Sequence, residues 1–414
     1  MESKTERRFS ILMFPWIAHG HVIPFFELAK NLSNKSFHIY FCSTAINLED
    51  STKNSLQEQS SIQLVELQLP SFPDIPAHFH TMKNVPPHLM PRLFHAFQMS
   101  ATSFTDIIQN LKPDLLIYDV FSTYRDSPFP YPEIYVKDYE TKGLKAAVGQ
   151  LMKRDENEKD LSFGHFNLSQ DIVLMKTCKG IDGKYVDYLS VLCKKKLVPV
   201  GPLVTQSYIN GGNDSEIVDW LTTKPEFSTV FISFGSENHL TKEQMQELAK
   251  GLEICDVNFI WVIRSPVGET IDIDEVMPKG FLDLISERGL IVQGWAPQAK
   301  ILSQKSVGAF VSHCGTSSLT ESLYFGVPVI ALPFKFDQPL NVGAGVEVAR
   351  DEEGSFKSDD VANAINEVIV KMSGEKLRLR ATVLSAQMKN EEAEDMNEAA
   401  EQLLQLCIKF KEQT

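Results

Sequence analysis

Residues Gly308–Leu332, GAFVSHCGTSSLTESLYFGVPVIAL, decide the fold of this 414-residue chain. Gly308–Ser312 and Pro328–Leu332 are short apolar runs rich in β-branched and aromatic residues, and Ser317–Phe325 between them carries a helical period. Strand, crossover helix and strand in that order make a parallel βαβ unit. The turn His313-Cys314-Gly315-Thr316-Ser317-Ser318 joins the strand's end to the helix's start through small residues. Backbone N–H groups and the positive helix end therefore converge where a diphosphate can rest, and His313 adds a donor. Taken alone, the run also reads as a plain serine N-cap after a strand.

Outward from this unit the same alternation continues. The second half holds strands Thr229–Phe234, Asn258–Arg264 and Leu290–Gln293 and helices Thr241–Ile254 and Pro278–Arg288. Thr241 with Gln244 three residues on is a capping box that fixes its helix start. The first half holds strands Ser10–Pro15, His38–Cys42, Ile62–Leu67 and Asp114–Val120 and helices Pro24–Leu32 and Leu93–Leu111. Val200-Gly201-Pro202 and the polar stretch Gln206–Ser215 separate the halves. The expected organisation is α/β: a first domain over 1–203, a linker over 204–215, a second domain over 216–392 and a C-terminal helix over 393–414 packing back on the first domain. Two facing nucleotide-type domains place a ligand cleft between the carboxyl ends of two sheets.

Forty Lys and Arg against 54 Asp and Glu leave a net charge of −14. No basic run exceeds Lys194-Lys195-Lys196, so nucleic acid finds little electrostatic attraction. A 43% hydrophobic and 23% charged composition is that of a packed globular protein. Cys42, Cys178, Cys193, Cys255, Cys314 and Cys407 lie in apolar segments without CxxC spacing and read as reduced core residues, with no metal site expected. The apolar stretch from Phe9 ends at Ile17, too short for a secretory signal or a membrane span, and the expected location is the cytoplasm.

No GxGxxG follows a strand and no GxxxxGK[ST] occurs, which argues against a nicotinamide oxidoreductase or a P-loop enzyme. Trp295-Ala296-Pro297-Gln298 opens a block that runs through His313-Cys314-Gly315, Glu321, Gly326-Val327-Pro328 and Asp337-Gln338. That block resembles the signature of the plant family 1 UDP-dependent glycosyltransferases. Gly20-His21 after the first strand, Asp119 after Leu115-Leu116-Ile117-Tyr118, and Phe234-Gly235-Ser236-Glu237 extend the resemblance over nearly the whole chain. Phe14-Pro15-Trp16, His38–Ser43 and Pro86-Pro87-His88-Leu89-Met90-Pro91 are similar to the subgroup that extends the sugar of an already glycosylated natural product.

The resemblance implies a GT-B fold of two facing Rossmann-like domains. It also implies a UDP-sugar donor used as co-substrate, with no cofactor or metal, and a flavonoid, lignan or terpenoid glycoside as acceptor. The protein would act as a monomer. Carried over residue by residue, it puts uracil on the Trp295 ring with the Ala296 and Gln298 backbone at its edge, and the ribose hydroxyls on Glu321. His313, Gly315, Ser317, Ser318 and Ser236 surround the diphosphate, and Asp337 and Gln338 hold the sugar. Alternative readings are a core tryptophan for Trp295, a solvated helix charge for Glu321 and a plain turn for Asp337-Gln338.

An inverting transfer needs a base for the acceptor hydroxyl. Histidine titrates near working pH, and His21 follows a strand at the sheet's carboxyl edge. Asp119 ends another strand there, where it would orient the imidazole and stabilise the imidazolium. His19 is the competing base, and family register favours His21. Thr316-Ser317 replaces the family's usual Trp-Asn. About thirty residues are missing between Asp119 and Pro128-Phe129-Pro130 by comparison with a usual βα unit, and a shorter gap follows Asn341. A rival reading is therefore a truncated paralogue that binds UDP weakly without catalysis.

Overall fold

The computed structural model describes residues 8–52, 61–119, 169–205, 215–236, 238–266, 268–334 and 343–413. They fall into two compact units, one drawn from Met1–Ser122, Phe163–Thr205 and Asn390–Thr414, the other from Gln206–Lys389.

In the first unit the main elements are β1 (Ser10–Phe14), α1 (His19–Ser33), β2 (His38–Ser43), β3 (Ile62–Glu66), α2 (Met90–Met99), α3 (Ala101–Leu111) and β4 (Leu115–Tyr118), then β5 (Ile172–Met175), α4 (Lys179–Cys193) and β6 (Lys196–Pro199), with a short helix Ala45–Thr52 between β2 and β3. The four-stranded sheet runs β3-β2-β1-β4, all parallel, and β5 pairs with β6. Ile11, Met13, Ile39 and Phe41 are buried with Phe26 and Leu32 of α1. Two expectations change. α1 starts at His19 rather than Pro24, because the Ala18 carbonyl already accepts the His21 and Val22 N–H groups and burial of Val22 extends the apolar stripe N-terminally. The helix expected over Leu93–Leu111 is two helices, parted at Ser100, whose hydroxyl bonds the Phe97 carbonyl at 2.6 Å. A hydroxyl competing for a backbone carbonyl leaves no trace in apolar periodicity.

The second unit contains β7 (Thr229–Ser233), α5 (Lys242–Cys255), β8 (Asn258–Ile263), β9 (Gly289–Gln293), α6 (Gln298–Leu302), β10 (Val307–Ser312), α7 (Thr316–Tyr324), β11 (Val329–Ala331), β12 (Gly345–Glu347) and α8 (Ser358–Ile369). Its six strands are parallel in the order β12-β11-β10-β7-β8-β9. Every residue of β7 and β10 is buried, as central parallel strands require, which is why they read as unbroken apolar runs. The Thr241–Gln244 capping box is present in both directions. The helix expected over Pro278–Arg288 shrinks to Phe281–Ile285.

A last helix, α9 (Ser373–Gln413), belongs to the second unit through Lys389 and to the first from Asn390. Its Met396, Ala399, Leu403 and Cys407 sit in the core of the first unit. There Glu391 accepts the Gly180 N–H at 2.7 Å and Asp395 the Lys179 N–H at 3.4 Å, so carboxylates of α9 satisfy the start of α4, which lacks a cap of its own. All six cysteines are buried and free, and burial raises the thiol pKa of Cys42, Cys178, Cys314 and Cys407 to about 12.

Candidate active site

In an open parallel sheet, ligands bind where the strand order reverses, outside the carboxyl ends of the two strands that part there. In the first unit that point lies between β1 and β4. Their register pairs Phe14 with Tyr118, and the Asp119 N–H continues the ladder onto the Phe14 carbonyl at 3.2 Å. His21 is the third residue of α1, the helix that follows β1.

Asp119 Oδ2 lies 2.7 Å from His21 Nδ1 and accepts the Trp16 N–H at 3.4 Å. The two side chains are 33% and 17% exposed, shielded yet reachable. A carboxylate only accepts, so Nδ1 carries the proton and Nε2 is the basic nitrogen of the ring. A base oriented by a partly shielded acid is the geometry general-base chemistry needs.

Beside it stands an apolar wall. The Trp16 ring meets Phe97 edge-on at 4.9 Å and Phe94 at 5.5 Å, and its indole N–H donates to Met82 Sδ at 2.9 Å. Phe94 is exposed.

In the second unit the order reverses between β7 and β10. The turns after these strands interlock. A Cβ on Gly235 would stand 2.6 Å from His313 Cε1, and one on Gly315 would stand 2.5 Å from His313 Nε2. The buried His313 ring is thus held between two bare α carbons. Gly235 also has φ +74°, a region that side chains disfavour. Ser236 follows, half-buried.

Between His313 and Gly315, the buried Cys314 adopts φ +66° with its N–H on Ser312 Oγ at 3.1 Å. With its thiol pKa at about 12 it is a structural residue. Gly315 is the N-cap of α7, and no side chain caps that helix. The serine N-cap reading is thereby corrected: Ser317 and Ser318 lie inside the first turn, because Gly315 supplies the carbonyl that Leu319 N–H takes at 3.0 Å.

Glu321, one turn further, is half-buried and accepts Gln298 Nε2–H at 2.8 Å, and the same amide reaches Ser318 Oγ at 3.3 Å. The backbone N–H of Gln298 bonds the Ala296 carbonyl at 2.9 Å. Trp295 is 50% exposed, so it is a surface platform and not a core residue. Arg264, a residue that sequence reasoning missed, lies over the Trp295 ring at 4.7 Å. The only sequence signal for it is a charge closing the strand Asn258–Arg264. Asp337, Gln338 and Asn341 lie outside the described residues, as does the stretch after Asp119 that contains Pro128-Phe129-Pro130. Among the described residues no cluster of three or more His, Cys, Asp or Glu could hold a metal ion, and no helix is long and apolar enough to cross a membrane.

Residues 212–390 match the UDP-glucoronosyl and UDP-glucosyl transferase family, and residues 7–122 match the glycosyltransferase N-terminal domain. Mogroside IIIx synthase of Siraitia grosvenorii is 43% identical over 96% of this chain and 98% of its own. The chain belongs to the plant family 1 UDP-dependent glycosyltransferases. β-D-glucosyl crocetin β-1,6-glucosyltransferase of Gardenia jasminoides is 41% identical over 95% of this chain and 98% of its own. These relatives place this glycosyltransferase in the sugar-extending subgroup. A Glycyrrhiza uralensis UDP-glycosyltransferase, UGT73P12, solved with glycyrrhetinic acid 3-O-monoglucuronide, matches with a TM-score of 0.78 at 20% identity over 98% of both chains, which supports the GT-B fold class.

The alignment with mogroside IIIx synthase is 443 positions long against 414 residues here, so this glycosyltransferase skips at least 29 aligned positions. The reading as an impaired, truncated paralogue gains no support from these relatives.

Proposed function

We propose that this glycosyltransferase moves glucose from UDP-glucose, with inversion, onto a hydroxyl of a sugar already attached to a flavonoid, lignan or terpenoid. The His21–Asp119 pair, 2.7 Å apart at the reversal point of the first sheet, carries the reading. The acceptor oxygen attacks the anomeric carbon while Nε2 of His21 takes its proton. UDP leaves, and Asp119 steadies the imidazolium. No enzyme nucleophile takes part. The Trp16, Phe94 and Phe97 rings beside the pair suit a flat or polycyclic aglycone. The glucosylated crocetin in one relative's name and the mogroside in the other's supply the glycoside class and favour glucose.

In the second unit, uracil would lie on Trp295 beside Ala296, the ribose hydroxyls on Glu321 with Gln298 bracing it, and the diphosphate against Gly315, Ser317, Ser318, His313 and Ser236. The uncapped start of α7 favours anionic charge, so the reading includes no metal. Asp337 and Gln338 are proposed for the sugar from their motif alone. The protein is proposed to work as a cytoplasmic monomer. The test is transfer assayed with a panel of UDP-sugars and of aglycones and their glucosides, with and without a chelator. UDP-glucose and a glucoside should give the highest kcat/KM, unchanged by chelation. Preference for bare aglycones, or loss of activity on chelation, would count against it.

Gly235→Ala tests the diphosphate side. The new methyl group must push the His313 ring aside and strain a left-handed backbone, at a cost of about 1–3 kcal/mol. The expected result is a lower melting temperature and a raised KM for UDP-sugar. A variant with unchanged KM would remove His313 from the donor site.

A further inference from the structure

At the carboxyl edge of the second sheet, β8 and β9 pair with Ile263 opposite Gln293, and the Gly294 N–H continues the ladder onto the Ile263 carbonyl at 2.9 Å. Arg264 follows Ile263 on one side, and Trp295 follows Gly294 on the other. Arg264 Nε donates to the Gly294 carbonyl at 3.1 Å, which fixes the guanidinium beside the turn, and its charged head lies 4.7 Å from the centre of the Trp295 ring. Gly294 has φ +91°, so the turn that presents Trp295 is one that glycine alone takes comfortably. The Arg264 carbonyl meets His239 Nδ1 at 3.2 Å, which ties the arginine to the turn after β7 as well. Half the indole remains exposed.

We propose that Arg264 is a positioning residue for donor binding: it occupies one face of the Trp295 indole and holds the ring so that the nucleotide base stacks on the opposite face. The inference rests on Trp295 carrying the base. An indole on a glycine turn has rotamers to lose when a base settles on it. A planar cation already stacked behind the ring and anchored to the preceding carbonyl removes that freedom before the ligand arrives. Cation–π attraction strengthens as the cation leaves water, and burial draws the pKa of Arg264 below its ordinary value. Lysine offers charge without the planar fork and supplies only part of the effect.

The experiment is calorimetric titration of the full chain with UDP for Arg264→Met, Arg264→Lys, Trp295→Ala and the double variant Arg264→Met/Trp295→Ala, with quenching of tryptophan fluorescence by UDP and steady-state kinetics alongside. Arg264→Met should weaken UDP binding about 3- to 30-fold, raise KM for the donor with little change in kcat, and reduce the quenching. Arg264→Lys should recover part of the loss. In the Trp295→Ala background the arginine change should add nothing, because a positioning residue acts only through what it positions. Wild-type UDP affinity in a folded Arg264→Met protein overturns the proposal while Trp295→Ala still loses affinity. An equal loss in the double variant overturns it too, since the arginine then acts on the nucleotide directly. Unchanged affinity in Trp295→Ala removes the base-stacking reading itself, and the positioning role with it.

Discussion

His21→Ala should lower kcat by roughly 10² to 10⁴ while leaving the affinity for UDP nearly unchanged. The expectation follows from where the ring is held. His21 sits in the first turn of α1, with its N–H on the Ala18 carbonyl at 2.9 Å and Nδ1 on Asp119 Oδ2 at 2.7 Å. Nε2 is then the nitrogen that can accept a proton, and removing the ring removes the base while the turns of the second unit proposed to hold UDP keep their own supports. His19→Ala, two residues earlier on the same helix, should keep most of the turnover. Single-turnover kinetics on folded variants, with calorimetry for UDP, separate the two histidines. A His21→Ala enzyme that retains most of its kcat while His19→Ala loses it would move the role to His19. If both lose turnover together with UDP affinity, the helix start serves structure and not proton transfer.

How much of this is legible in the sequence depends on what each feature is made of. The parallel strands were legible because burial on both faces leaves a continuous apolar run, as in Val307–Ser312 and Thr229–Ser233. The Thr241 cap was legible because its two partners are three residues apart. His21 and Asp119 could be named from strand ends, but they are 98 positions apart, and only the β3-β2-β1-β4 order brings them together. Arg264 stayed hidden for the same reason in a sharper form. One arginine closing an apolar run looks like a solvated charge until the β8–β9 register sets it beside Gly294. The interlock of Gly235, His313 and Gly315 joins turns nearly eighty positions apart and has no local signal, although each glycine was visible. The segment expected to be missing after Asp119 falls outside the described residues, and the positions skipped in the alignment show only that this chain is shorter than its relative.

The second large effect is expected at Asp119, and its direction depends on one atom. Oδ2 alone receives both the His21 ring at 2.7 Å and the Trp16 N–H at 3.4 Å. In Asp119→Asn, the amide can place its oxygen there and keep both bonds, or place its NH₂ there and face two donors. The first arrangement is strongly favoured, because the second leaves the Trp16 N–H with a donor for a neighbour and forces the imidazole into the tautomer that holds its proton on Nε2. Asparagine therefore preserves the orientation and tautomer of His21 and removes only the charge that steadies the imidazolium. Alanine removes both. The expected result is a kcat lower by on the order of 10² for Asp119→Asn and on the order of 10³ to 10⁴ for Asp119→Ala. Residues that act as one unit are not additive, so His21→Ala/Asp119→Ala should be no slower than His21→Ala alone. An asparagine variant slower than the alanine variant would show that the amide has turned its NH₂ to the histidine and that tautomer, not charge, is what Asp119 chiefly controls. Full additivity in the double variant would mean that Asp119 works apart from His21, and the dyad would no longer account for proton removal.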